Sequence, residues 1–210
     1  TAYSMIMKYH GWPKVGTGDL RNQHTGSAVT GRTYDFDNML MSYTGTYTTE
    51  QADAVAKLMA DLGHAYMIVN GNGNEGSTTE NLYKYFSYTN VNASYQSNFT
   101  IDSWKEKIEE SLGNGSPIPY TSDNAASVQD ARHIFVLDGY TDNDYYHFNF
   151  GWSGGGNGWY LLTSIDPLGS DYSWKEDGSS DQVAFFNLKP IKRTVTIETT
   201  PSNAGNIKIN

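Results

Sequence analysis

The chain has 210 residues, a net charge of −9 and no cysteine. That length suits one domain with a small remainder, and 38% hydrophobic residues, with 16 Tyr and 5 Trp, supply a core for it. The 14 Lys+Arg against 23 Asp+Glu argue against a phosphate-backbone footprint, and the lack of cysteine excludes disulfides and zinc–thiolate sites within these residues.

Ala2, Tyr3, Met5, Ile6, Met7 and Tyr9 leave little polar face, which predicts a buried helix over Thr1–Tyr9, stopped by Trp12-Pro13. Residues 14–46 read as loop, with Tyr34–Leu40 folded onto the core through its rings. A second helix is predicted over Thr49–Leu62: Ala52, Val55, Leu58, Met59 and Leu62 keep the helical period, Thr48 with Gln51 suits a capping box, and Gly63 ends it. His64 then falls just past the helix, as a surface or capping histidine. The run from Asn70 to Ser77 reads as a flexible loop without the lysine and spacing of a phosphate cradle. Helices over about Thr78–Phe86 and Thr100–Leu112 follow, then a short strand, Pro117–Thr121, and a polar loop, Asp123–Asp130. No stretch approaches the ~20 apolar residues that span a bilayer.

Aromatic and β-branched residues mark two strands, His133–Leu137 and Tyr145–Phe150, with turn chemistry between them. Alternation puts His133, Phe135 and Leu137 on one face, and Tyr145, His147 and Asn149 on one face of the partner. Two registers are open. A loop over Asp138–Asp144 sets His133 opposite Asn149, whereas a tight turn at Asp142-Asn143 sets it opposite Trp152. Paired side chains start ~5 Å apart at Cβ, so in the first register the amide reaches the imidazole. A base whose tautomer an amide fixes is half of a cysteine-nucleophile site. The glycine run Gly154–Gly158 reads as a loop that closes over a ligand, or as a long hairpin turn. Strands Trp159–Thr163 and Val183–Leu188 end the domain, and residues 191–210 read as a linker and the start of a β module.

RHIFVLDGY and YYHFNFGWSGG resemble the His and Asn blocks of streptopain-type cysteine peptidases, bacterial secreted proteases with a papain-like fold. Thr1-Ala2 before MIMKYHGWP, YDFDNML, PIPY, NGWYLL and DQVAFFNLKP fit the same family, in order, across most of residues 1–190. The resemblance implies an α+β fold, a central buried helix packed on an antiparallel sheet. It implies that His133 is the catalytic base, Asn149 its orienting amide and Trp152 a shield. The nucleophilic cysteine is then expected three residues before Thr1, with an oxyanion-hole glutamine further upstream. Gly76 and Ser77 are expected at the rim of the substrate cleft. Arg132 and Phe150 depart from the family pattern beside the base, as does Ser153 after Trp152, and the first two become candidate substrate contacts. The resemblance further implies peptide or protein substrates, an N-terminal inhibitory propeptide, no cofactor and a secreted or cell-surface location.

Other readings are weaker. His133 and His147 with Asp138, Asp142 or Asp144 offer a carboxylate–imidazole metal site without helical ligand spacing. Thr1 as an N-terminal nucleophile would open a strand, yet it opens an apolar helix. Acyl transfer to an amine has no motif of its own. A papain-like relative that binds peptides without cleaving them would also lack the thiol.

Overall fold

A computed structural model describes residues 1–17, 31–69, 75–124, 133–169, 171–173 and 180–192. The element order is α1 (Ala2–His10), α2 (Thr49–Val69), α3 (Glu75–Phe86), β1 (Ser94–Tyr95), α4 (Ile101–Gly113), β2 (Ile118–Asn124), β3 (Phe135–Tyr140), β4 (Tyr146–Asn149), β5 (Gly158–Tyr160) and β6 (Ser180–Ala184). The six strands form one sheet in the order β1-β6-β2-β3-β4-β5, with every pairing antiparallel. This is the expected α+β architecture. The expected β module falls mostly outside the described residues, which end at 192.

Strand alternation divides the apolar residues into two cores. Val136 joins Ile6, Met7, Leu58, Leu82 and Phe86 on the side of α1, α2 and α3. Its neighbours Phe135 and Leu137 join Trp104, Tyr120, Phe148 and Phe150 on the side of α4. Helix α1 therefore lies against one face of the sheet and α4 against the other. In the α4 core, Trp104 Nε1 donates to the Tyr120 hydroxyl at 2.9 Å, and that hydroxyl donates to Gln182. A fully buried indole and phenol thus keep their polar ends satisfied.

Several boundaries move from those expected. Helix α1 stops at Gly11, not at Trp12-Pro13: Gly11 takes φ 57, and Gly11 N–H and Trp12 N–H return to the Lys8 and Met7 carbonyls. The capping box at α2 forms, with Thr48 N–H on Gln51 Oε1 at 2.9 Å and Gln51 N–H on Thr48 Oγ1 at 3.3 Å. The helix then runs through Gly63 to Val69, so His64 is mid-helix. One exposed glycine costs only ~1 kcal/mol, and beyond it Ala65 is buried, its carbonyl accepting from Asn81 Nδ2 at 2.7 Å. Helix α3 begins at Glu75, so Gly76 and Ser77 form its first turn.

The 31–39 segment is tied to α2 through Asp61, which is fully buried. Arg32 Nη1 donates to its Oδ1 at 2.7 Å and the Tyr34 hydroxyl to its Oδ2 at 2.8 Å. Burial first, and then the bond to Asp61, raise the Tyr34 phenol well above its usual range, so it stays a donor. Asp61→Ala leaves Arg32 and Tyr34 unmatched and should cost about 3 kcal/mol in urea unfolding. Tyr34→Phe should cost about 1 kcal/mol. Equal, negligible losses would show that this segment is held by packing alone.

A second prediction concerns pH. Burial first, and the Lys192 ammonium second, push His10 down to about 4. The unfolded imidazole titrates near 6.5. Between these values the unfolded chain binds the extra proton, so stability is intact above pH 6.5 and is lost as pH falls toward 4. His10→Gln should flatten the fall in thermal midpoint over that window, and an unchanged slope would contradict the assignment.

Candidate active site

His133 precedes β3 by two residues. The register Val136↔Asn149 and Leu137↔Phe148 carries it opposite Trp152, the second of the two alternatives. Asn149 pairs with Val136 and shares its face, whereas His133 is in phase with Phe135 and Leu137. Imidazole and carboxamide therefore do not meet, and no hydrogen bond joins them. The ring is held instead by the backbone between them. His133 Nε2 lies 2.6 Å from the Phe150 carbonyl oxygen. A carbonyl only accepts, so Nε2 carries the proton and donates it. In the neutral ring Nδ1 is then the nitrogen with a free lone pair, the state a general base needs.

The Phe150 peptide is itself fixed at both ends. Its N–H donates to Asn157 Oδ1 at 2.9 Å, and the next N–H, that of Gly151, donates to Asn149 Oδ1 at 3.1 Å. Asn149 thus braces the turn that presents the carbonyl, the role such side chains play where a strand ends. Gly151 has φ +74, and a Cβ there would lie 2.9 Å from Thr1 Cγ2. Thr1 is the N-cap of α1, so the start of the central helix packs on the residue after Phe150. The positive end of the helix thus abuts the turn that carries the Phe150 carbonyl.

Trp152 stacks on His133, with centroids 4.9 Å apart and planes at 24°. Its indole also stacks on Phe150, at 5.2 Å and 26°. The imidazole thus forms the outer layer of an aromatic pile that continues through Phe135 and Tyr172. Such pairs contribute about 0.5–1.5 kcal/mol each beyond the area they bury.

Of the other expected contacts, Phe150 needs correction. Its ring is fully buried against Trp152 and not presented at the surface, and it is its carbonyl that meets the imidazole. Arg132 lies outside the described residues. Gly76 and Ser77 sit in the first turn of α3, a helix that packs with α2. The glycine run after Trp152 folds on itself, with Gly155 N–H on the Trp152 carbonyl at 3.0 Å, and a Cβ at Gly156 would strike Pro167. Sequence reasoning missed the Phe150 carbonyl and Asn157, since a backbone acceptor carries no residue-type signal. A cavity of about 320 Å³ lies where α1, α2, the 39–43 segment and the sheet meet, bounded by Thr1, Met5, Met39, Met59, Val136 and Asn149. Among the described residues, no three His, Asp or Glu side chains gather as a metal site. No helix among them is long and apolar enough to cross a membrane.

The family model described as Peptidase C10 family matches residues 1–160. The chain belongs to the Peptidase C10 family. Similar proteins include a streptopain of Streptococcus pyogenes, 28% identical over 184 residues, covering 80% of this chain and 45% of that protein. The thiol protease/hemagglutinin PrtT of Porphyromonas gingivalis is 27% identical over 204 residues, 90% of this chain and 23% of that protein. The chain thus spans less than half the length of these relatives. Among solved structures, active wild-type interpain A cysteine protease of Prevotella intermedia matches with a TM-score of 0.69 at 27% identity, over 87% of this chain and 79% of that one. A prointerpain A fragment matches with a TM-score of 0.64 at 26% identity, over 87% and 60%. The fold is therefore that of the papain-like C10 peptidases.

Gly151→Ala should cost about 1–2 kcal/mol in chemical unfolding, from the left-handed backbone that alanine resists. The collision with Thr1 should also spread amide shift changes into the first turn of α1. Changes confined to the 149–152 turn would show that α1 does not bear on it.

Proposed function

We propose that this chain is the greater part of a cysteine endopeptidase domain, with His133 as base and the thiol supplied by a cysteine three residues before Thr1. The observation that carries the reading is the His133 Nε2 contact with the Phe150 carbonyl, which leaves Nδ1 available, beside a turn on which the start of α1 packs. A thiol at that helix start has its pKa lowered by the helix end and by an adjacent imidazolium.

In the proposed reaction the thiol proton passes to His133 Nδ1. The thiolate sulfur attacks the peptide carbonyl carbon, and the C–N bond breaks as the imidazolium returns its proton to the leaving amine. Water then loses a proton to Nδ1 and attacks the thioester, releasing the acid and the thiol. Asn149 acts one step removed, as a positioning residue that braces the Phe150 carbonyl, and Trp152 covers one face of the imidazole. Substrates are proteins or peptides, and family membership supports a propeptide-controlled enzyme acting outside a bacterial cell.

The test uses the full-length protein with a quenched fluorescent peptide. Turnover should be abolished by iodoacetamide and reduced by several powers of ten in His133→Ala. The 210-residue chain alone, having no cysteine, should neither react with iodoacetamide nor turn over peptide. Peptide binding without turnover by the full-length protein would favour a non-catalytic relative. Turnover that survives His133→Ala would show that the base is misassigned.

A further inference from the structure

The proposed chemistry leaves two residues of the His and Asn blocks unused, Asp138 and His147. They find each other across the hairpin: His147 Nδ1 lies 2.5 Å from Asp138 Oδ1. We propose that Asp138 and His147 form a positioning pair that holds the β3–β4 register, and through it the Phe150 carbonyl at the Nε2 edge of the His133 ring. The role attributed to catalysis rests on the peptidase reading above.

The two strands are out of step at this point. On the turn side the pairs are Gly139↔His147 and Tyr140↔Tyr146; on the site side they are Leu137↔Phe148 and Val136↔Asn149. From Leu137 to Gly139 is two steps along β3, but from Phe148 to His147 is one step along β4. Asp138 is therefore the extra residue of a β-bulge, a device that re-aims side chains near functional sites. The consequence for the site is large. Were the Gly139↔His147 pairing carried on without the bulge, Leu137 would stand opposite Asn149 and Phe135 opposite Gly151. A slip of one residue exchanges the faces, so Asn149 would share a face with the residues of the α4 core. The Phe150 carbonyl would move out of step with His133.

The local chemistry favours the bulge only while Asp138 is engaged. Its carboxylate is about one-third exposed, at 35%, and His147 is 30% exposed, so neither is driven into place by burial. Gly139 makes the room. A Cβ there would lie 3.3 Å from both His147 Cβ and Trp159 Cη2, tighter than ordinary packing allows. Trp159, opposite His147 on β5, lays its ring 5.1 Å from the imidazole and closes the other side. The His147 ring is thus caged by glycine and tryptophan with Nδ1 turned to the bulged carboxylate. Both a neutral imidazole with its proton on Nδ1 and an imidazolium can donate this bond, the latter more strongly.

The experiment compares Asp138→Ala, His147→Ala, the double variant and Asp138→Asn in the full-length protein, by steady-state kinetics and by cross-strand NOEs in β3–β4. Each alanine single should lower kcat about tenfold or more with KM within about twofold, as expected when binding is untouched and alignment is lost. The double variant should be no worse than the worse single, because the two act as one unit. Asp138→Asn keeps an Oδ1 acceptor for the Nδ1 proton and should recover most of kcat. The wild-type NOEs should join Val136 to Asn149, and in the alanine variants they should fade in favour of Leu137–Asn149 contacts. Additive losses, an Asp138→Asn variant as poor as Asp138→Ala, or Val136–Asn149 NOEs that persist in both alanine singles would overturn the proposal. If Asp138→Ala does not fold, Asp138→Asn against His147→Ala decides by the same criteria. The NOEs need no turnover, so loss of the peptidase reading and loss of the register pair are told apart.

Discussion

The structure depends on one peptide group, that between Phe150 and Gly151. Its carbonyl accepts from His133 Nε2, and Asn149 Oδ1 takes the Gly151 N–H of the same peptide. Asn157 takes the Phe150 N–H one bond earlier. Each partner alone would leave the chain a choice of direction at the end of β4. Together they leave one, because backbone polar groups buried without partners are costly. The carbonyl does what an amide side chain was expected to do: it sets the proton on Nε2.

That peptide sits where three parts of the fold converge. The aromatic core behind it supplies a stack in which the imidazole lies on Trp152 and Trp152 on Phe150, with Phe135 tilted against Phe150 and edge-on to Phe148. On the opposite face of the hairpin, Asn149 looks toward α1 and the cavity beside Thr1. Gly151 joins the two faces, and its missing side chain is what admits the start of α1. A sheet separates neighbouring residues to opposite sides. A site that needs groups from both sides must therefore be built at a strand end, where the chain turns and the faces meet.

Much of this was legible in the sequence. The capping box of Thr48 and Gln51 formed as its pattern required, since both partners lie within one turn. The hairpin was legible from its rings and turn residues, and the papain-like likeness from blocks kept in order. The register was not. Two pairings of the hairpin were open, and the choice depends on a bulge at Asp138 that side-chain alternation does not announce. The end of α2 was misread because Gly63 looked like a stop, while burial of Ala65 beyond it outweighs the small cost of a glycine. That His133 could stand by Trp152 was legible as one of two open pairings; the expected His133–Asn149 contact does not form, and the carbonyl that holds the imidazole was not legible, because every residue has one.

The central claim is that a backbone carbonyl fixes the His133 tautomer and leaves Nδ1 free for a thiol. Nitrogen chemical shifts of the His133 ring, measured by NMR near pH 8 on the imidazole-labelled 210-residue chain, which carries no thiol to exchange a proton with the ring, test it directly. A protonated Nε2 and an unprotonated Nδ1 are the predicted result. A ring with its proton on Nδ1, or one exchanging evenly between the two tautomers, would contradict the account.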